Sequence, residues 1–215
     1  MSAEIDILVM TCEKYSHLIF KWLTFFKRTW TLPYQLTVVV AGPPPRYLVI
    51  PSQTQGDNIV YYSMPDGGYA ANLLDFLSAQ SSPFMLMMDD FMLFEADNAK
   101  LLAAWDIIQR DDVGCVRLVP WPGPTLPYDV DGFGEIDKSL EYAISLQASF
   151  WKPQTFRDLL DRSWSPWQIE LEGSQRAASY PKQFIGCKTC AVNYKDYMLR
   201  GQPRPQHAEW VDERL

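Results

Sequence analysis

Two adjacent carboxylates, Asp89 and Asp90, interrupt the apolar run Phe84-Met85-Leu86-Met87-Met88-Asp89-Asp90-Phe91-Met92-Leu93. Ionised side chains are costly to hold near a core unless a cation pairs with them, and a bound divalent metal suits such a pair. Hard cations such as Mn2+ or Mg2+ take oxygen ligands and often complete their shell with substrate phosphates. A solvated strand end is the plainer alternative. The chain holds only two histidines, His17 and His207, so a histidine-built metal site is not expected. A second carboxylate pair, Glu170 and Glu172, follows Ser165-Pro166-Trp167-Gln168-Ile169. A helix opening at Pro166 places both near its start, where the amide dipoles favour an ionised carboxylate, the form a general base needs. Simple matching of that dipole is the bland alternative for both.

These groups need a scaffold, and the apolar spacing supplies one. Residues 5–10 form a β-favouring run that passes through Thr11-Cys12-Glu13 into helically spaced Leu18, Ile19, Trp22, Leu23 and Phe26. Residues 36–40 are a second strand, closed by Ala41-Gly42 and by Pro43, Pro44 and Pro45. Residues 58–62 are a third, followed by Pro65-Asp66-Gly67-Gly68. A helix over 70–79, with Leu73, Leu74, Phe76 and Leu77 on one side, leads into the strand that ends at Asp89 and Asp90. Strands alternating with helices or long connections predict a parallel α/β sheet, in which ligands collect at the carboxyl ends of strands. Thr11, Asp66 and Asp89 fall at such ends.

Further along, the spacing predicts a helix over 98–109 and a strand over 113–119. The loop 120–134 carries four prolines, three glycines, Trp121, Tyr128 and Phe133. Loops of that length in compact domains usually serve function. A strand over 144–151, helices after Pro153 and Pro166, and a strand over 190–194 follow, the last trailed by Lys195, Arg200 and Arg204, any of which could reach a phosphate. Trp121, Tyr128, Phe133, Trp164 and Trp167 supply faces on which sugar rings pack, although each could equally be buried surface. With no linker or repeat, a single domain over 1–215 is expected.

Composition narrows the function. A chain of 215 residues, 47% hydrophobic, can bury one sizeable core. Its net charge of -7 argues against nucleic acid as a partner. No apolar run reaches the roughly 18 residues needed to cross a bilayer, and residues 1–5 lack the basic start of a secretory signal, so a soluble, cytoplasmic protein is expected. Cys12, Cys115, Cys187 and Cys190 suit reduced thiols. The lone Cys187-x-x-Cys190 pair has no second pair or nearby histidine to complete a zinc site.

Taken in order, Thr11-Cys12-Glu13, Tyr69-Ala70-Ala71-Asn72-Leu73-Leu74, Asp89-Asp90-Phe91 and Ser165-Pro166-Trp167-Gln168-Ile169-Glu170 resemble nucleotide-sugar glycosyltransferases of the GT-A fold. Size and layout are similar to the small virus-encoded glycosyltransferases, such as those of chlorella viruses. The resemblance implies a GT-A (Rossmann-like) α/β fold with a mixed, mostly parallel central sheet flanked by helices. Residues 1–95 would bind the nucleotide sugar and 96–215 the acceptor. In that family an Asp-x-Asp type motif holds the metal. Met88-Asp89-Asp90-Phe91 departs from it, with Asp90 implied as metal ligand and Asp89 on ribose, sugar or a metal-bound water. Thr11, Cys12 and Glu13 would line the nucleoside pocket, with Asp66, Tyr69 and Asn72 near the uridine or the sugar. Packing and helix capping are the bland alternative for Tyr69 and Asn72. Glu170, favoured over Glu172 by the Trp-x-x-Glu pattern, would be the general base of an inverting transfer.

The implied donor is a nucleoside-diphosphate sugar, UDP by family habit, the implied cofactor Mn2+ or Mg2+, and the implied acceptor a carbohydrate. A retaining transferase of the same fold stays open, as does a non-catalytic carbohydrate-binding module. A sugar nucleotidyltransferase is disfavoured because Met10-Thr11-Cys12-Glu13-Lys14-Tyr15 contains no glycine with which to cradle a triphosphate.

Overall fold

The computed structural model describes residues 4–42, 58–65 and 67–215. Asp66 and the prolines at 43 to 45 lie outside them. The first strand, β1 (Ile5–Cys12), is followed by α1 (Leu18–Thr29), β2 (Tyr34–Ala41), β3 (Ile59–Met64), α2 (Tyr69–Leu77) and β4 (Phe84–Met88). These strands pair in parallel in the order β3-β2-β1-β4, which makes β1 central. A strand buried on both faces must be apolar almost throughout, and β1 is. Its side chains alternate between the two faces. Ile5, Ile7 and Val9 enter the core beneath α1, whose Leu18, Ile19, Trp22 and Phe26 recur at helical spacing. Leu8 and Met10 enter the opposite core with Leu73 and Leu77 of α2.

After Asp89 and Asp90 the chain turns and returns as β5 (Phe91–Ala96), then runs through α3 (Asn98–Gln109), β6 (Val113–Arg117), β7 (Phe133–Glu135), β8 (Ser149–Trp151), α4 (Pro153–Leu159), α5 (Pro166–Ala177) and β9 (Gln183–Cys187). The central sheet continues past β4 as β8-β6-β9-β7, giving eight strands in all. β8 runs antiparallel to β4 and β6, and β7 antiparallel to β9, while β6 and β9 are parallel. The result is the mixed, mostly parallel sheet expected. Leu101, Ala104 and Ile108 of α3 cover the α1 face, and Phe156 of α4 and Ile169 of α5 cover the other.

β10 (Val192–Asp196) leaves the sheet to pair with β5, and β11 (Met198–Leu199) and β12 (Gln202–Pro203) form a hairpin before α6 (Pro205–Asp212). Arg200 (φ +52°) and Gly201 (φ +78°) sit at its tip. Two consecutive residues in the left-handed region are what a tight two-residue hairpin turn requires. α6 is fastened to α1 by ring contact between Trp210 and Phe25 and by the Lys21–Asp212 ion pair. Among the described residues no helix is long and apolar enough to cross a membrane.

The strand expected over 144–151 is cut to three residues. The backbone of 144–146 is taken instead by α5 side chains: Ile144 N donates to Ser174 Oγ (3.0 Å) and Leu146 N to Glu170 Oε1 (2.8 Å). The short strand β7 arises inside the expected loop 120–134 and β9 in a stretch with no strand signal. β9 forms by adding to β6 in parallel, and β7 by pairing antiparallel with β9 at the sheet edge. All four cysteines are free thiols, with Cys115 and Cys187 buried.

Candidate active site

A cavity of about 1100 Å³ opens at the carboxyl ends of β1, β2 and β4. Met10, Thr11, Cys12 and Ala41 contribute from the first two strands, Tyr69 from the first turn of α2, and Met88 to Phe91 from the β4–β5 turn. The far wall is Leu146, Gln147 and three α5 residues, Pro166, Trp167 and Glu170. The roof is Asp196 with the hairpin residues Met198 to Gly201.

Asp89 is 8% exposed and sits where β4 ends. Burial pushes its carboxyl up to about 7, opposed by the neighbouring polar Thr11 side chain and with Asp90 adding repulsion. Burial likewise raises Asp90, to about 6, although the backbone amides of Asp90 and Met198 oppose the shift and Asp196 adds to it. Among the described residues neither aspartate has a Lys, Arg or His partner within ion-pair distance. Asp196, by contrast, is ion-paired with Arg204, and His207 Nδ1 lies 2.7 Å from its carboxylate. The Tyr69 hydroxyl donates to Met88 Sδ at 3.3 Å and is held protonated by burial and by the charges of Asp89, Glu170 and Asp90.

A buried and a half-buried carboxylate, with no counter-charge among the described residues, form a donor set suited to a hard divalent cation. Among the described residues no group of three or more His, Cys, Asp or Glu could hold a metal alone. A hard cation at this pair would need further oxygen ligands from outside the pair, such as substrate phosphates.

Glu170 is placed by its helix. Ser165 accepts from Gln168 N and Gln168 reaches back to Ser165, a capping box that fixes the start of α5, and Pro166 follows as its first residue. Trp167 and Glu170, three apart, then lie on one face and both reach the cavity. Ser145 Oγ donates to Glu170 Oε1 at 3.0 Å and Leu146 N donates to the same oxygen at 2.8 Å, which holds the carboxylate while leaving Oε2 without a described partner. Trp167 is 61% exposed, a large aromatic face left open at the cavity wall.

Thr11, Cys12, Tyr69, Asp89, Asp90 and Glu170 are thus gathered around one space. Three other expected site residues are not. Glu13 is exposed and does not line the cavity, one residue beyond the end of the β1–β2 pairing. Asn72 is buried below the site, its Oδ1 accepting from Gly67 N at 3.2 Å. Glu172 is exposed on another face of α5, because two helical residues turn about 200°. Asp66 lies outside the described residues. Of the aromatic candidates only Trp167 lines the cavity. Phe133 is core, Tyr128 packs on Arg110, Trp164 packs on Arg176, and Trp121 is exposed elsewhere.

Of the three cations, Arg200 lines the cavity, Arg204 is occupied by Asp196, and Lys195 lies over Phe94 and Trp210. Sequence reasoning missed Lys14, Tyr15, Gln147 and Asp196. The strand-end rule that found Asp89 would also have found Asp196, the last residue of β10.

No protein-family model matches the chain, and no curated protein does either. Solved structures match in fold. HddC from Yersinia pseudotuberculosis is similar over 98% of this chain and 99% of its own, with a TM-score of 0.57 and 11% identity. A UDP-glucose pyrophosphorylase, solved with UDP-glucose, aligns over 99% and 98%, TM-score 0.58, 10% identity. The mannosyltransferase PcManGT from Pyrobaculum calidifontis, solved with GDP-Man and Mn2+, aligns over 94% of this chain and 59% of its own, TM-score 0.58, 13% identity. These likenesses establish a GT-A-like fold. The expected similarity to virus-encoded enzymes finds no support, since no sequence match accompanies the fold match.

Proposed function

We propose that this chain is a metal-dependent glycosyltransferase that moves a sugar from a nucleoside diphosphate, with UDP the expected carrier, to a carbohydrate acceptor with inversion at the sugar. The observation that carries the reading is that the uncompensated Asp89–Asp90 pair and the held Glu170 carboxylate line one cavity. Asp90 and Asp89 would hold Mn2+ or Mg2+. When bound, such a cation offsets the charge that grows on a departing diphosphate. Thr11 and Cys12 lie on the nucleoside side, and Tyr69 stands between the acidic pair and Glu170.

Glu170 takes the proton of the acceptor hydroxyl as the oxygen attacks. Ser145 and Leu146 steady one carboxylate oxygen so that the other faces the acceptor. Trp167, beside it on the same wall, gives the acceptor ring a face to stack on. Lys14 and Arg200 stand on the roof side of the cavity, and among the described residues neither has a carboxylate partner. Cations left unneutralised in a chain of net charge -7 suit a diphosphate.

Calorimetric titration of UDP, GDP and CMP, with Mn2+ and again with chelator, tests the proposal. Metal-dependent binding of one nucleotide supports it and names the carrier. Failure of folded protein to bind any nucleotide overturns it and leaves a carbohydrate-binding module. Product stereochemistry separates inverting from retaining transfer. Release of pyrophosphate from UTP and a sugar 1-phosphate would instead mark a nucleotidyltransferase.

A further inference from the structure

We infer that Arg117 is a positioning residue for Glu170, acting through the segment 142–147 on which the carboxylate is held. It rests on the reading of Glu170 as general base. Arg117 is the last residue of β6 and is fully buried, at 0% exposure. Among the described residues no carboxylate pairs with it. Its guanidinium instead donates to three backbone carbonyls: Nη1 to Pro122 O (2.7 Å), and Nη2 to Tyr142 O (2.9 Å) and Ala143 O (2.8 Å). A planar fork can bridge two crossing chain segments in this way, and a point charge on a flexible stem cannot. A buried ion is a poor route to stability, because well-packed apolar groups of similar volume do as well or better, so the three carbonyls it bridges point to a geometric role.

The bridged segment runs straight to the site. Tyr142 has φ +60°, a conformation a bulky residue keeps only where its surroundings over-determine it. From there Ile144 N donates to Ser174 Oγ, Ser145 Oγ and Leu146 N donate to Glu170 Oε1, and the Tyr194 hydroxyl bonds Gln147 Oε1. The segment is therefore gripped by the guanidinium at one end and by α5 and β10 at the other. Without Arg117, the 142–143 turn loses its only described side-chain anchor, and the Leu146 amide is free to drift from the carboxylate.

Arg117→Met and Arg117→Lys in the full chain test this, read by amide hydrogen exchange at Leu146, by UDP binding with Mn2+, and by donor-sugar turnover. In Arg117→Met, protection of Leu146 should fall while the β1 and β4 amides keep theirs. UDP affinity and donor KM should hold, and kcat should drop about 10²-fold, the scale of a displacement near 1 Å at a reacting group. Arg117→Lys should lie between, since one ammonium cannot span Pro122 and Ala143 together. Should Arg117→Met fail to fold, Arg117→Lys decides by the same three readouts. Wild-type protection of Leu146 in a folded variant overturns the inference whatever the enzyme does. Lost protection with unchanged kcat upholds the positioning and removes Glu170 as the base.

Discussion

The Leu146 amide donates to the Glu170 carboxylate at 2.8 Å, joining the segment that leads into β8 to the first turns of α5. The same oxygen takes the Ser145 hydroxyl, so one face of the carboxylate is spent on the protein and the other on the cavity. A group held like this delivers or accepts a proton at a fixed place.

Glu170→Gln should therefore leave the fold and nucleotide binding intact, because the amide oxygen still accepts from Leu146 and Ser145. Transfer should fall by about 10²- to 10⁴-fold, the usual worth of a general base. Melting temperature, UDP titration and turnover, measured on one preparation, check this. Full turnover in the variant would remove Glu170 from the mechanism. Glu172→Gln, on the exposed side of the helix, should change nothing.

Asp89 and Asp90 set a pH dependence of stability. An ordinary aspartate, the unfolded reference, titrates near 3.8, and these titrate at about 7 and about 6 in the fold. Between those values the folded state holds protons the unfolded chain has released. Their contribution is fully present below 3.8 and is lost as pH rises through about 6 to about 7. In chelator, wild-type protein should lose melting temperature relative to Asp89→Asn as pH is raised from about 5 to about 8. Mn2+ should restore more at the upper end than at the lower. Equal responses of wild type and variant across that range would contradict the assignment.

At the hairpin tip, a Cβ at Gly201 would stand 3.1 Å from the Tyr15 hydroxyl and 3.7 Å from Lys14 Nζ, on a backbone at φ +78°. Gly201→Ala should cost about 1–2 kcal/mol from the left-handed conformation alone. Tyr15 must also yield, which disturbs the Lys14 side of the cavity. Denaturant unfolding and UDP titration should both weaken. Weakened folding with unchanged nucleotide binding would detach the hairpin from the donor.

Trp167→Ala removes an exposed side chain, so stability should move by no more than about 0.5 kcal/mol. The acceptor KM should rise by up to about tenfold, the worth of one aromatic contact, while donor KM stays level. Steady-state kinetics with each substrate varied in turn discriminates these. A change in donor KM alone would place Trp167 on the wrong side of the site.

Much of the first half was legible in the sequence because its elements bury themselves locally. α1 carries its apolar stripe at helical spacing, α3 begins and ends where its periodicity does, and β1, β2 and β4 are near-continuous apolar runs ending where ligands gather. The second half was less legible. Residues 144–146 have a strand's composition but spend their hydrogen bonds on Ser174 and Glu170, while β9 is a strand because distant β6 takes it as a neighbour and β7 because β9 offers it an edge. Glu13 and Glu172 have the right residue type and neighbourhood, but one residue past the paired strand, or two along a helix, leaves them exposed and off the cavity lining.

What the sequence determined by itself was the acidic pair at a strand end, the capped helix start that carries Glu170, and an alternation of strand and helix that admits few topologies. Those follow from period, capping and the cost of burying charge, which act within a few residues. Only the tertiary structure decided that Asp89 and Glu170 share one cavity, that Asp196 joins them already paired with Arg204, and that a buried Arg117 grips the segment between. Convergence of residues far apart in the chain depends on which strands become neighbours, and that is settled by the packing of the whole core.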